Sequence, residues 1–159
     1  MVNGLINALV AFLMGGATLS FSFTATDAGG AAVSMDGEIV TYGENYRMET
    51  EHALVVSDGT VIGIYQKEAD EIVLQPVEAG ADIMANPFAV LKDGNSANYE
   101  VTAQGKDAKG LPEKVILKAR NGAVYTIVIG EYSASENSNA ALFTIDPENY
   151  PTAIVTDLR

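Results

Sequence analysis

The sequence of 159 residues is long enough for one domain with its own hydrophobic core. Its formal net charge of −12, from nine Lys and Arg against twenty-one Asp and Glu, disfavours nucleic acid and anionic membrane surfaces as partners. The chain has no cysteine and one histidine, His52, which excludes thiolate metal sites, disulfides, a cysteine nucleophile and a multi-histidine metal site.

The first predicted element is an amphipathic helix over residues 2–14, ended by Gly15 and Gly16. Its apolar residues recur at helical spacing: Val2, Leu5, Ile6, Leu9, Val10 and Leu13. A secretory signal needs Lys or Arg before its apolar stretch, and MVNG has neither, so we expect a helix of the mature protein with any export signal already removed. The stripe indicates either a helix that covers a sheet as part of the core, which the sequence favours, or a helix that lids a ligand cavity.

From residue 18 the apolar period changes to two, which is typical of half-buried strands. Similar segments follow, separated by hairpin signals such as Asp58-Gly59 and Asn121-Gly122. We predict ten or eleven short strands, at residues 18–27, 33–43, 45–52, 53–57, 60–66, 71–76, 98–106, 112–120, 123–133, 140–146 and 153–158.

The alternation breaks at VEAGADIMANPFAVLKDGNS, where we predict a short helical segment at about residues 79–92. A long antiparallel sheet curls because strand twist accumulates, and its concave face then needs a cover. The two predicted helical segments, residues 2–14 and about 79–92, can supply one. The sequence therefore predicts a single domain over residues 1–159 of the α+β class, a curved antiparallel sheet with helices on its concave face.

Reactive side chains form no recognisable catalytic or metal-binding motif. The sequence has no G-x-S-x-G motif, which would place a nucleophilic serine for His52 to activate, so His52 is expected to be an exposed loop histidine. The turns KEADE and GKDAKG lack EF-hand and P-loop spacing and are interpreted as solvated turns. We therefore expect no enzyme activity, metal or cofactor. An enzyme would need polar side chains clustered around His52, the one histidine, and the sequence indicates no such cluster. The remaining apolar surface fits a ligand cavity and a closed core equally well.

Several segments, in their order along the chain, resemble the LolA-like periplasmic lipoprotein carriers, as a divergent branch of that family. They run from GGATLSFSFT through GEIVTYGENYRMET, VVSDGTVIGIYQ, DEIVLQPV and NPFAVL to LFTIDPENYPTAIVTDLR. The resemblance covers nearly the whole chain and depends on this order rather than on one motif. It implies an unclosed β-barrel of about eleven strands, whose N-terminal helix and short helical lid cover an apolar cavity for acyl chains.

The resemblance also implies a function: a soluble, monomeric periplasmic carrier that shields the acyl chains of lipoproteins, or a related lipid, without a cofactor or covalent chemistry. Such a carrier takes its cargo from an inner-membrane extractor and gives it to an outer-membrane receptor. The sequence departs from typical carriers at Gly43, where they have an arginine that latches the lid. The nearby Arg47 belongs to a predicted strand and is not an obvious replacement.

The expected cavity-lining side chains are apolar and come from the helix, the strands and the lid segment. They are Leu9, Leu13, Phe21, Phe23, Ile39, Met48, Val56, Ile64, Phe88 and Leu91. The face assigned on each strand is an assumption, because a shift of one residue moves every side chain to the other face. The alternative function is a non-catalytic lipid- or protein-sensing domain on the same scaffold, in which Phe21, Phe23 and Met48 belong to a packed core.

Overall fold

A computed structural model gives the structure of the chain and describes residues 2–77, 88, 91, 99–137 and 139–159. The helix and strands are α1 (Val2–Met14), β1 (Ala17–Thr26), β2 (Ala32–Tyr42), β3 (Asn45–Thr50), β4 (Ala53–Ser57), β5 (Val61–Gln66), β6 (Glu71–Pro76), β7 (Tyr99–Gln104), β8 (Lys114–Ala119), β9 (Val124–Ala134) and β10 (Ile154–Asp157). The predicted bounds of the N-terminal helix are confirmed. The predicted lid segment at about 79–92 lies outside the described residues except for Phe88 and Leu91, and it stays a prediction.

The strands form one open sheet of ten strands in the order β10-β6-β5-β4-β3-β2-β1-β9-β8-β7. Neighbouring strands are antiparallel, except that β10 runs parallel to β6. Strands β10 and β7 are the two edges of the sheet and do not pair with each other. The structure thus confirms the predicted fold class, an unclosed, mostly antiparallel sheet with an N-terminal helix.

The predicted strand at residues 140–146 is wrong, and the described residues form ten strands, the lower of the two predicted counts. Residues Ala140–Phe143 form a short 3-10 helix, whose Asn139 side chain accepts a hydrogen bond from the backbone N–H of Ala141. A second short 3-10 helix follows and is capped in the same way by Asp146. Such side-chain caps favour a turn over an extended ladder, even where apolar residues alternate.

The main core lies between α1 and one face of the sheet, called here the inner face. Directly opposite residues on neighbouring strands share a face, and Leu19, Ile39, Met48 and Val55 pair in succession across β1 to β4. The helix places three buried side chains against this face: Ile6, Leu9 and Leu13. The apolar residues of β1 therefore face this core, and the polar residues that alternate with them face the opposite side of the sheet, called here the outer face.

A second, smaller core covers the outer face of β4, β5 and β6. It buries Leu54, Val56, Ile72 and Leu74 beneath Ile145. Ile145 belongs to residues 139–153, called here the strap, which cross the outer face before the chain enters β10. The strap explains why these strands are apolar on both faces, whereas β1 and the middle of β2 carry polar residues on their outer face.

Asp70 fastens the strap to the turn between β5 and β6. Its carboxylate accepts hydrogen bonds from the Tyr65 hydroxyl at 2.8 Å and from the Thr152 hydroxyl at 2.6 Å. The rings of Tyr65 and Tyr150 lie beside these bonds, with centroids 4.4 Å apart. The hydrogen bond from Thr152, and then the one from Tyr65, lowers the pKa of the Asp70 carboxyl below its usual value.

Replacing Asp70 with asparagine is expected to lower the melting temperature at neutral pH, because a neutral amide accepts weaker hydrogen bonds than a carboxylate. The folded-state pKa of Asp70 lies below its ordinary value of 3.8, so its stabilising contribution is complete above about pH 4 and is lost as the pH falls through the lower folded-state value. The difference in melting temperature should therefore shrink below about pH 4.

The matched control for Asp70→Asn is Glu68→Gln, which removes an exposed carboxylate from the same turn. Circular dichroism gives the melting temperatures of the unchanged protein and the two variants across acidic pH. The difference from the unchanged protein should shrink with falling pH for Asp70→Asn and not for Glu68→Gln. A gap between Asp70→Asn and the unchanged protein that stays constant down to low pH would contradict the role given to the ionised carboxylate.

Candidate functional site

The candidate site is the apolar interior between α1 and the inner face. Nine of the ten side chains predicted to line a cavity belong to this core, and all nine except the half-buried Ile64 are buried. They are Leu9, Leu13, Phe21, Phe23, Ile39, Met48, Ile64, Phe88 and Leu91. The structure thus brings together residues from α1, β1, β2, β3, β5 and the segment that follows β6.

Val56 is the exception and lies on the outer face, in the second core. Its neighbour Val55 takes the inner position, because Val55 pairs with Met48 on one side and Ile64 on the other. Leu54, Val55 and Val56 are all buried, since both faces of β4 are covered. A continuous apolar run carries no alternation from which the inner face could be predicted.

Aromatic rings form part of the interior. Phe21 meets Phe88 edge-on with ring centroids 5.2 Å apart, and Phe23 stacks on Tyr125 at 6.0 Å. Tyr125 also contacts Tyr99 of β7 at 6.1 Å. Offset and edge-on geometries of this kind stabilise aromatic pairs beyond their buried area. Because Phe88 packs against β1, the segment after β6 contributes at least one side chain to the interior.

Strands β7, β8 and β9 contribute a further part of the wall, whose residues were not among the predicted cavity-lining side chains. Val115, Leu117 and Ile127 are fully buried there, and Val101 and Tyr125 pack against them. The sequence signal was partial, because Val115 and Leu117 lie between Lys114 and Lys118 but are separated by the half-buried Ile116. The wall therefore spans the sheet from β1 to its β7 edge, on the same side as α1.

The C-terminal end of α1 is bound to β2 and the turn after it. The Thr41 hydroxyl donates a hydrogen bond of 2.5 Å to the backbone oxygen of Leu13, and the Gly43 N–H donates one of 2.9 Å to the oxygen of Met14. Gly43 has a φ of +62° at the first position of a two-residue hairpin turn, which glycine adopts without strain. Position 43, where the resemblance expects an arginine latch, thus holds the helix through its backbone.

Arg47 does not take over that role. Its side chain lies on the outer face, since its neighbours across the sheet are Val40 and Val56. There its guanidinium donates a hydrogen bond of 3.4 Å to the backbone oxygen of Leu142 in the strap. Arg47 therefore contributes to the attachment of the strap and makes no contact of this kind with α1.

Tyr132 joins α1 to the turn between β7 and β8. Its ring meets Phe12 edge-on at 5.1 Å, and its hydroxyl donates a hydrogen bond to the Asp107 carboxylate. The ammonium of Lys109 lies 5.2 Å from the ring centroid. Burial, followed by the hydrogen bond to Asp107, raises the pKa of Tyr132 to about 12. A tyrosine that keeps its proton at neutral pH serves here as a hydrogen-bond donor at the margin of the interior.

In the described part of the chain, histidine and carboxylate side chains are the groups to consider for catalysis or metal binding. His52 is exposed in the bend between β3 and β4, with Nε2 3.4 Å from the Glu51 carboxylate. Across residues 2–77 and the later described ranges, no three histidine, aspartate or glutamate side chains come together in a way that could hold a metal ion. Among the described helices, none has the length and apolarity needed to cross a bilayer.

An open groove of about 610 Å³ lies on the outer face of β1, β2, β3 and β9. Its lining includes the hydroxyls of Ser20 and Ser22 and the carboxylates of Asp36, Glu38 and Glu49. Glu38 and Glu49 are direct cross-strand neighbours, an unfavourable arrangement of like charges that Lys67, at 2.8 Å from the Glu49 carboxylate, partly offsets. An open groove with three carboxylates in its lining does not suit an apolar chain, so the groove is not the predicted cavity.

No family model and no curated protein sequence matches the chain. Its fold is similar to that of a LolA superfamily protein from Nitrosomonas europaea, with a TM-score of 0.55 and 7% identity over 89% of this chain and 98% of that chain. It is also similar to an uncharacterised conserved protein from Thermus thermophilus, with a TM-score of 0.57, 9% identity and 96% of each chain covered. The chain therefore has a LolA-like fold, which confirms the resemblance at the level of the fold.

Proposed function

We propose that the protein is a periplasmic carrier that holds acyl chains of lipoproteins, or of a related lipid, between α1 and the inner face. The observation that carries this proposal is the continuous apolar wall of an unclosed, LolA-like sheet beneath one helix. Acyl chains gain about 0.8 kcal/mol for each CH₂ removed from water and need no hydrogen bonds from their site. An apolar wall without a catalytic cluster is suited to such a ligand.

The proposed carrier closes over its own side chains when empty. Leu9, Phe23 and Ile127 are at most 1% exposed in the structure. An empty apolar cavity open to water would present a large hydrophobic patch, which soluble proteins rarely tolerate. Binding of an acyl chain would therefore displace α1 or Phe88 and replace contacts between side chains with contacts to the ligand.

The proposed cycle is the one that the resemblance to lipoprotein carriers implies. The protein would take acylated cargo from an inner-membrane extractor, carry it as a monomer and pass it to an outer-membrane receptor, with no cofactor and no covalent step. The LolA superfamily name of a structurally similar protein supports this proposal. The close packing beneath α1 favours a second candidate function, a non-catalytic sensing domain that binds lipid or protein without opening its interior.

Native mass spectrometry of protein purified from a bacterial periplasm tests the proposal directly. We expect a bound acyl species at defined stoichiometry, released by solvent extraction. Delipidated protein should also take up a long-chain fatty acid, and about a hundredfold excess over its Kd should raise the free energy of unfolding by about 2.7 kcal/mol. Butyrate is the control, because it has the same carboxylate without the long chain. A clean apo mass with no uptake would leave the sensing domain as the better function.

A further inference from the structure

The C-terminal turn of α1 is fixed in a hydrogen-bonded junction. Besides the bonds that Thr41 and Gly43 donate to its last carbonyls, the adjoining Gly16 oxygen accepts a bond of 2.9 Å from the N–H of Ser135. The Asn137 side chain donates to the backbone oxygens of Thr41 at 3.0 Å and Ala17 at 3.3 Å. Moving this turn would break bonds to β2 and to the end of β9 together, so we call it the pivot.

The N-terminal turns of α1 are held far less firmly. Residues 2–7 read VNGLIN, and asparagine and glycine are weak helix formers, whereas residues 8–14 contain neither. The first turn has no acidic residue to complement the helix dipole. Among the bonds between described residues, none joins residues 4–8 to another element. Their hold on the sheet consists mainly of apolar contacts such as those of Ile6.

From this asymmetry we infer that α1 opens from one end. Its N-terminal turns unwind and release Ile6 and Leu9 from the inner face, while Leu13 and Met14 stay at the pivot. The opening uncovers the wall of β1, β8 and β9 without unfolding the sheet. The identity of the ligand that enters, an acyl chain, rests on the proposed function, but the one-ended opening is a property of the free protein and can be measured without ligand.

Gly4→Ala tests the inference, because Gly4 is exposed and a Cβ there would have no atom within 4 Å. In the unchanged protein, amide hydrogen exchange followed by NMR should be at least about tenfold faster for residues 6–9 than for residues 12–14. Alanine should slow exchange of residues 6–9 about fivefold, which corresponds to the difference in helix propensity between glycine and alanine. Uptake of a fluorescent long-chain fatty acid should slow by about the same factor.

Gly29→Ala is the matched control, because Gly29 is exposed in the turn between β1 and β2 and a Cβ there makes only an ordinary contact with Asp27. Gly29→Ala should change neither the exchange rate of residues 6–9 nor the rate of fatty-acid uptake. Equal protection along α1, or unchanged exchange in Gly4→Ala, would overturn the inference. Slower exchange combined with normal uptake would also overturn it, since ligand would enter elsewhere. If exchange slows in Gly4→Ala, but neither this variant nor the unchanged protein binds the fatty acid, the one-ended opening is supported and the proposed function is contradicted.

Discussion

Alanine in place of Gly16 is expected to lower the free energy of unfolding by about 2–6 kcal/mol. Gly16 has a φ of +99°, and an added Cβ would collide with the backbone oxygen of Ser135. Backbone strain and overpacking then act at the same position, and the backbone of Ser135 is not a flexible side chain that could move aside. Urea unfolding followed by circular dichroism measures the loss, which is large compared with the total stability of a small domain.

Gly30→Ala is the control that separates the two causes. Gly30 has a similar φ of +89°, but a Cβ there would have nothing within 4 Å. This variant should therefore lose only about 1–2 kcal/mol from backbone strain. If both variants lost the same amount, the close approach between Gly16 and Ser135 would not be the reason for glycine at position 16.

Phe23→Ala is expected to lower the free energy of unfolding by about 3–5 kcal/mol, through lost apolar burial and the void that remains. Phe23 is 1% exposed at the centre of the inner face, where it stacks on Tyr125. Urea unfolding again gives the value. If the interior admits acyl chains, a saturating fatty acid should restore part of the lost stability, because a ligand that binds the folded state stabilises it.

Val33→Ala is the control for this truncation. Val33 lies on the neighbouring strand β2 and is 62% exposed, so its loss should change stability by no more than about 0.5 kcal/mol. A loss below about 1 kcal/mol for Phe23→Ala would contradict the packed interior and would mean that the inner face collapses readily around a missing ring.

The sequence was sufficient where a single physical pattern decides the structure. In β1, Leu19, Phe21 and Phe23 alternate with serine and threonine because one face of this strand meets α1 and the other meets water. The helix was predictable for the same reason, since its apolar stripe has one partner. Glycine marked the end of the helix because Gly16 must adopt a positive φ.

Prediction failed at two places, for one tertiary and one local reason. The run of Leu54, Val55 and Val56 has no alternation because the strap buries the outer face of β4, and the strap comes from residues about 90 positions later in the chain. The alternation around Phe143 suggested a strand, yet caps from Asn139 and Asp146 turn that segment into 3-10 helices. The cover is not visible within a short window of sequence. The caps are local, and their signal competes there with the alternation of apolar residues.

The junction that holds the C-terminal end of α1 is built from uncharged groups, the Thr41 hydroxyl and the Gly43 N–H. The attraction of an arginine for its partner is screened by salt over about 10 Å at 0.1 M, whereas a buried bond between neutral groups scarcely responds to ionic strength. A main-chain N–H is also retained in every residue except proline, so side-chain replacement at position 43 acts on conformation rather than on the bond itself. These two bonds at the C-terminal end of the helix should therefore respond little to the ionic strength of the surrounding medium.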